Sequence, residues 1–186
     1  MPGHPARTKS PDAYVRAAIG GDRAAAQAIL EALLPRMRNL CRFLLRGDRD
    51  VDDVAQIACM EVLRSLHGWR GDASLESWAL RITARVARRH AKKERDRDAR
   101  HGSVPPELHA VPTADSAPDR YLERRRLARL LDRLPDAQRD AVVLHHVLGL
   151  SVPEIAAELE IPAETTRSRL RLGMRRLREL HGEGES

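Results

Sequence analysis

Ser151-Val-Pro-Glu-Ile-Ala-Ala-Glu-Leu-Glu-Ile-Pro-Ala-Glu-Thr-Thr-Arg-Ser-Arg-Leu170 carries the sharpest local signals in the chain. Ser151 followed three residues later by Glu154 is a capping box, in which each side chain takes the other residue's free backbone N–H. Pro153 falls in the first turn, where its missing N–H removes no helical bond. Leu150 and Ile155 are spaced for a hydrophobic staple. The pattern predicts a helix over 152–159, a turn at Glu160–Pro162 and a second helix over 163–180. Ile155, Leu159, Ile161 and Leu170 supply a shared core, and Ala156 is small where the two helices must cross. Thr165, Arg167, Ser168, Arg169 and Arg171 cluster near the start of the second helix. That is where the recognition helix of a helix-turn-helix meets the major groove, and Arg there can take guanine edges or phosphate. A helical hairpin with a merely cationic surface is the alternative. Two residues fit poorly. Glu160 stands where the turn favours Gly, and Gly173 weakens the second helix by about 1 kcal/mol.

Working outward, the whole 186-residue chain reads as helical. Ala, Leu, Arg and Glu dominate, and aromatics are only 3% of residues, against a β-sandwich or barrel. Helices are expected at 119–134 and 136–148, the latter stopped by Gly149. Upstream, Pro11–Asp12 start a short helix to about Ile19, ended by Gly20–Gly21. Asp22 caps a long helix to about Arg46, with Gly47 as its stop and Pro35 expected to kink or divide it. Asp50 caps a helix to about Leu66, and Gly68 ends it. Ser74 caps a helix to about Arg97. Residues 1–10 read as disordered. Residues 101–118, with Pro105, Pro106, Pro112 and Pro118 and no apolar period, read as an extended linker. The expectation is an all-α protein of two small helical domains, 11–100 and 119–182, joined by that Pro-rich linker.

No apolar stretch approaches the roughly 18 residues of a membrane span, and no secretory h-region precedes Ser10. Cys41 and Cys59 are too few for a disulfide framework and read as buried small apolar groups, pointing to a cytoplasmic protein. The eight His residues are scattered, and His145–His146 reads as surface rather than metal site. No nucleophile–base pair, Gly-rich phosphate loop or metal cluster is visible. Asp48, Asp50, Asp52 and Asp53 crowd one helix start, where capping explains them. Catalysis, metal and cofactor are therefore not expected.

The formal charge of +6 is unevenly placed. Residues 81–100 alone hold nine basic and three acidic side chains, residues 101–162 are net −3, and residues 163–186 are net +2. Two separated basic patches suit two contacts with one polyanion. The first lies on a helix whose other face is apolar, with Leu75, Trp78, Ala79, Ile82 and Val86 opposite Arg81, Arg85, Arg88, Arg89 and Lys92. Trp78 reads as core. Trp69 sits just before this helix in a Gly-containing loop with no periodic partner. It either lids the end of the core or offers a platform on which an extruded base stacks, worth about 1–3 kcal/mol.

Taken together, these motifs resemble a sigma-70 family factor of the extracytoplasmic function (ECF) group, over about residues 12–182. Asp52-Asp53-Val-Ala-Gln56 is similar to the family's polymerase clamp contact. Trp69-Arg-Gly-Asp-Ala-Ser-Leu-Glu-Ser-Trp78-Ala-Leu-Arg-Ile82 is similar to its aromatic loop and melting helix. Leu134-Pro135 through Leu144 and Leu150 through Leu170 are similar to its second domain.

The resemblance implies a promoter-specificity subunit, not an enzyme. By it, Asp52, Asp53 and Gln56 would dock on core RNA polymerase. Trp69, Arg70, Arg81, Arg85, Arg88, Arg89 and Lys92 would engage the melted minus-ten element, with Lys93 on phosphate. Thr165, Arg167, Ser168 and Arg171 would engage the minus-thirty-five duplex. An anti-sigma factor is the implied regulatory partner. Departures from the family pattern are Ile57, Cys59, Arg85, Thr166 and Leu172-Gly173-Met174. The competing reading is a stand-alone helix-turn-helix regulator, which would need a ligand pocket or dimer face in its N-terminal half.

Overall fold

Eight helices order the chain in a computed structural model that describes residues 11–46, 49–101 and 118–182. They are α1 (Pro11–Ile19), α2 (Arg23–Leu44), α3 (Val51–Ser65), α4 (Leu75–His101), α5 (Pro118–Asp132), α6 (Asp136–His146), α7 (Val152–Leu159) and α8 (Ala163–Gly182). A single 3-10 turn, Leu66–Gly68, follows α3. No strand occurs among the described residues. The expected disorder of 1–10, the Gly47 stop, Asp48 and residues 102–117 of the expected linker lie outside them.

The helix starts follow from short polar side chains with free lone pairs. Asp22 Oδ1 accepts from the Ala24 and Ala25 amides at 2.9 and 3.1 Å. Ser74 Oγ accepts from the Ser77 amide at 3.1 Å, and α4 then runs four residues beyond the expected Arg97. Asp50 departs from expectation. It occupies the N-cap position of α3 but makes no side-chain cap, its carboxylate lying 3.2 Å from His90 Nε2 on α4.

Pro35 does not divide α2. Leu33 before it and Met37, Leu40, Cys41 and Leu44 after it are all buried on one face. That burial outweighs the roughly 3 kcal/mol a Pro costs in a helix interior.

α2, α3 and α4 pack on one another, with α1 across α2, around Val51, Val54, Ala58, Val62, Ala79 and Ala87. In the second unit, α6 and α7 pack against α8 around Leu131, Leu134, Val143, Leu144, Leu150 and Ile155. The two units touch, since α2 packs on α5 and α6, and their buried residues form one continuous apolar cluster.

Gly173 has a physical reason. A Cβ there would lie 2.8 Å from Val142 Cγ2 and 3.4 Å from Gln138 Cβ, so its missing side chain is what lets α8 close on α6.

Candidate nucleic-acid interface

The candidate residues on the first unit follow from the way α4 is entered and how one helix can be apolar on one side and cationic on the other. The Trp69 amide closes the 3-10 turn on Leu66 O at 3.1 Å, and Gly71, at φ 81°, reverses the chain. Trp69 is half-buried on the apolar cluster, and its Nε1 donates to the Ala73 carbonyl at 3.0 Å. The ring is thus pinned at the edge, and it walls a cleft of about 1240 Å³ with Tyr14, Ile29, Leu33 and Leu75. Trp69 thus covers the edge of the core, as a lid would, and also borders an open cleft. Trp78 is half-buried rather than fully core, and it shares a hollow of about 300 Å³ with Ile82, Val86, Arg85 and Arg89.

Six of the α4 cations divide into two groups. Arg89, Lys92 and Lys93 are exposed and carry no ion pair among the described residues. Arg81, Arg85 and Arg88 instead meet carboxylates of the second unit. Arg81 Nη2 lies 2.7 Å from Glu154 Oε1 and Arg85 Nε 3.6 Å from Glu158 Oε1. Arg88 reaches Asp140 Oδ2 at 3.2 Å and Glu158 Oε1 at 3.7 Å. Arg70 is exposed in the loop.

The helix-turn-helix is built as its sequence implies. Ser151 N donates to Glu154 Oε2 at 2.9 Å, and Ser151 Oγ accepts from the Glu154 amide at 3.4 Å. The Ser151 amide and hydroxyl, and then Arg81, hold the Glu154 carboxyl down at about 2. Glu160 adopts φ 54°, ψ 46°, the left-handed turn that the sequence flagged. On α8, Arg167 and Arg171 are exposed, and Thr165 and Ser168 half-buried. Arg167 pairs with Glu164 at 3.0 Å, both well exposed. Thr166 is fully buried, its hydroxyl donating to Pro162 O at 3.4 Å, so it is a packing residue.

Asp52, Asp53 and Gln56 are exposed on α3, on the solvent side of the helix, whose Val51, Val54 and Val62 are buried in the core. Asp52 Oδ1 holds Arg38 Nε at 2.8 Å. Asp52 and Gln56 border a mostly apolar cleft of about 530 Å³ with Leu30, Leu34, Cys59 and Leu63. Ile57 and Met60, 42% and 43% exposed, extend the apolar character of α3 to solvent. Met60 was not singled out in the sequence, because a lone exposed apolar residue on an amphipathic helix carries no signal of its own.

Among the described residues no group of His, Cys, Asp and Glu is arranged to hold a metal. Cys41 and Cys59 are buried, and burial, with Cys59 nearby, pushes the Cys41 thiol up to about 12.

The sequence reading missed the carboxylates Asp136, Asp140, Glu154 and Glu158 as a group. The signal available was the net −3 of residues 101–162 beside the most basic segment.

Residues 29–97 match the family described as Sigma-70 region 2, and residues 124–177 that described as Sigma-70, region 4. The ECF RNA polymerase sigma factor SigK of Mycolicibacterium vanbaalenii is 30% identical over 96% of this chain and 92% of its own. SigM of Mycobacterium tuberculosis, also an ECF RNA polymerase sigma factor, is 30% identical over 95% of this chain and 87% of its own. Among solved structures, the sigma factor RpoE in complex with the anti-sigma factor NepR from Bartonella quintana superposes with a TM-score of 0.63 at 21% identity, over 84% of this chain and 96% of that one. CnrH, in complex with the cytosolic domain of CnrY, gives 0.58 at 20% identity, over 91% and 96%.

Proposed function

The chain belongs to the sigma-70 family as an ECF RNA polymerase sigma factor, and from that premise we propose how its residues divide the work. The factor binds core RNA polymerase, directs it to specific promoters and starts transcription by melting the minus-ten element; it is not an enzyme.

Residues 11–100 form the unit that meets polymerase and the minus-ten element, residues 119–182 the unit that reads the minus-thirty-five element, and 101–118 the tether. Asp52, Asp53 and Gln56 dock on polymerase, and the apolar cleft beside Asp52 and Gln56 supplies the buried area such a contact requires. The minus-ten strand runs along α4, with Arg89, Lys92 and Lys93 on phosphate and Arg81, Arg85 and Arg88 joining them. Trp69 and Arg70 hold the extruded base at the mouth of the cleft under the loop. Thr165, Arg167, Ser168 and Arg171 enter the upstream major groove.

The observation that carries this reading is the juxtaposition in residues 69–93. A pinned, half-buried Trp at the edge of an open cleft leads directly into a helix that is apolar inward and cationic outward. A stand-alone regulator has no use for that combination. One of the two solved structures, RpoE, was captured with the anti-sigma factor NepR, and the other, CnrH, with the cytosolic domain of CnrY; the first supports an anti-sigma factor as this chain's own regulator. No helix among the described residues is long and apolar enough to cross a membrane. The working site proposed is the cytoplasm, where polymerase and promoters are.

Run-off transcription with core RNA polymerase on a promoter library tests the assignment. Specific start sites are expected only when the chain is added, and an absence of any specific start overturns it.

A further inference from the structure

We propose that Tyr14 of α1 is a second wall of the base-holding cleft, so that an unpaired base of the minus-ten strand lies between its ring and that of Trp69. The inference rests on the reading of Trp69 given above and extends it to α1.

Tyr14 and Trp69 are far apart in sequence yet border the same cleft of about 1240 Å³. α1 packs across α2 and against the 3-10 turn that delivers Trp69. Val15, 3% exposed, seats α1 in the apolar cluster. The chain then reverses at Gly20–Gly21, where Gly21 takes φ 91° and the Asp22 amide donates to the Ala17 carbonyl at 3.0 Å. With Val15 turned inward, the residue before it falls at the edge of the buried face. Tyr14 is accordingly half-buried: it packs against the cluster and also borders the cleft. Trp69 is placed in the same way.

The chemistry of the cleft suits a nucleobase better than a phosphate. Its floor is apolar, with Val15, Ile29 and Leu33 all buried. Its rim sets Arg16 and Arg70 against Asp12 and Asp72, all exposed, and the remaining carboxylate, Glu76, is held by Arg36 at 2.7 Å. Balanced charge of that kind gives a polyanion little net attraction, but it offers polar partners to the edge of a base.

Two of the chain's five aromatic residues stand at this cleft, where an aliphatic side chain would cover the core as well as Tyr14 does. Among the described residues the one ring pair in contact is His145 with His146. Tyr14 and Trp69 are therefore not stacked on each other, and the space between them is open. A base stacked on Trp69 alone keeps one face in water. A second ring removes that face from water too, and proteins that extrude a base hold it between aromatic or apolar side chains. Tyr14 also lies outside residues 29–97, the stretch that matches Sigma-70 region 2, so this contact belongs to α1 and not to the matched segment.

The test uses holoenzyme, made from the full chain and core RNA polymerase, on a promoter found by the run-off assay. Each non-template position of the minus-ten element is replaced in turn by a tetrahydrofuran abasic nucleotide. Open-complex formation is read by permanganate for Trp69→Ala, Tyr14→Leu and Tyr14→Phe, each relative to the parent on the same DNA. On the intact promoter Tyr14→Leu is expected to lower open-complex formation about tenfold. At the position where an abasic nucleotide erases the Trp69→Ala defect, it should erase the Tyr14→Leu defect as well, to within about twofold. Intact and abasic promoters are compared within each variant, so any loss of folded protein cancels. Tyr14→Phe keeps the ring and should match the parent.

A Tyr14→Leu defect of equal size on intact and abasic promoters overturns the proposal and leaves Tyr14 as core packing. So does the absence of any defect, or a defect shared in full by Tyr14→Phe. A Trp69→Ala defect that no abasic position relieves refutes base capture by Trp69, and the second wall with it. A Trp69→Ala defect relieved at one position, with the Tyr14→Leu defect relieved at none, refutes the second wall alone.

Discussion

The Asp136 carboxylate, at the first residue of α6, lies 2.8 Å from Arg139 Nη2 one turn later, and the Arg139 side chain is only 1% exposed. Arg46, just beyond the end of α2, and Arg95 of α4 grip the same carboxylate from the other unit. One acidic group therefore serves both the interior of the second unit and its seam with the first. Burial pushes Asp136 up, but Arg139, Arg46 and Arg95 outweigh it and hold its carboxyl below the usual range.

Replacing Asp136 with Ala leaves Arg139 buried with only Asp132, 3.5 Å from Nη1, as an ion-pair partner and with Asp140 as a further nearby charge. Removing one partner of a buried ion pair costs about 3–5 kcal/mol, because the other charge stays desolvated. The expected result is a large drop in the urea midpoint at pH 7. Arg46→Gln removes an exposed partner of the same carboxylate, together with its long donations to the Asp132 and Leu134 carbonyls, and should cost only about 1 kcal/mol. Equal losses from the two would show that the interior pair is not the one that matters.

Gly173→Ala should destabilise in spite of the roughly 1 kcal/mol that Ala gains in a helix. Its Cβ would fall 2.8 Å from Val142 Cγ2, and the Gln138 backbone and Cβ close the other side. Overpacking of this kind costs about 1–3 kcal/mol. Adding Val142→Ala to Gly173→Ala should recover part of the loss, because it removes the methyl that clashes. Thermal unfolding of the two variants decides the point; a more stable single variant would mean that α8 shifts freely on α6.

What was legible in the sequence was whatever depends on near neighbours. The Ser151–Glu154 capping box, the left-handed Glu160 and the starts at Asp22 and Ser74 are decided within four residues, and all are present. What was hidden depends on contacts between distant segments. Asp50 has cap chemistry, yet His90, 40 positions away, takes its carboxylate. Gly173 reads as a flaw until Val142 is placed against it. Pro35 reads as a break until the buried face on both sides is counted. The face of α4 was legible as basic, but not that its nearest anions belong to the same chain. Sequence separation of 52 to 73 residues carries no pattern that pairs Arg88 with Asp140 or Arg81 with Glu154.

Glu154 gives the fold an acid-sensitive element. The Ser151 amide and hydroxyl, and then Arg81, lower its carboxyl from 4.5 to about 2. A carboxylate lowered on folding stabilises the native state above its unfolded value, and that contribution is lost as pH falls toward the folded one. The stabilisation is therefore full above about pH 4.5 and declines between 4.5 and 2. Glu154→Gln keeps the cap and removes the titration. Its stability should fall less steeply than the parent's over that interval in urea titrations, and parallel curves would refute the role.

Trp69→Ala separates base capture from duplex binding. The ring is half-buried, its Nε1 is tied to the Ala73 carbonyl at 3.0 Å, and it walls the cleft beneath the loop. Removing it deletes the indole surface at the cleft mouth, at a stacking cost of about 1–3 kcal/mol per base. That corresponds to about a 5- to 150-fold loss in open-complex formation, since each 1.4 kcal/mol is a factor of ten. The minus-thirty-five contacts proposed on α8 lie in the other unit, so binding of holoenzyme to duplex promoter should persist. Permanganate footprinting of unpaired thymines reads melting, and gel retardation reads binding. Because Trp69 also packs on the core, Trp69→Phe provides the control: it restores an aromatic face without the Nε1 donor. Recovery of melting by Phe but not by Leu assigns the defect to stacking. Recovery by both would leave Trp69 as a lid on the core with no part in holding a base.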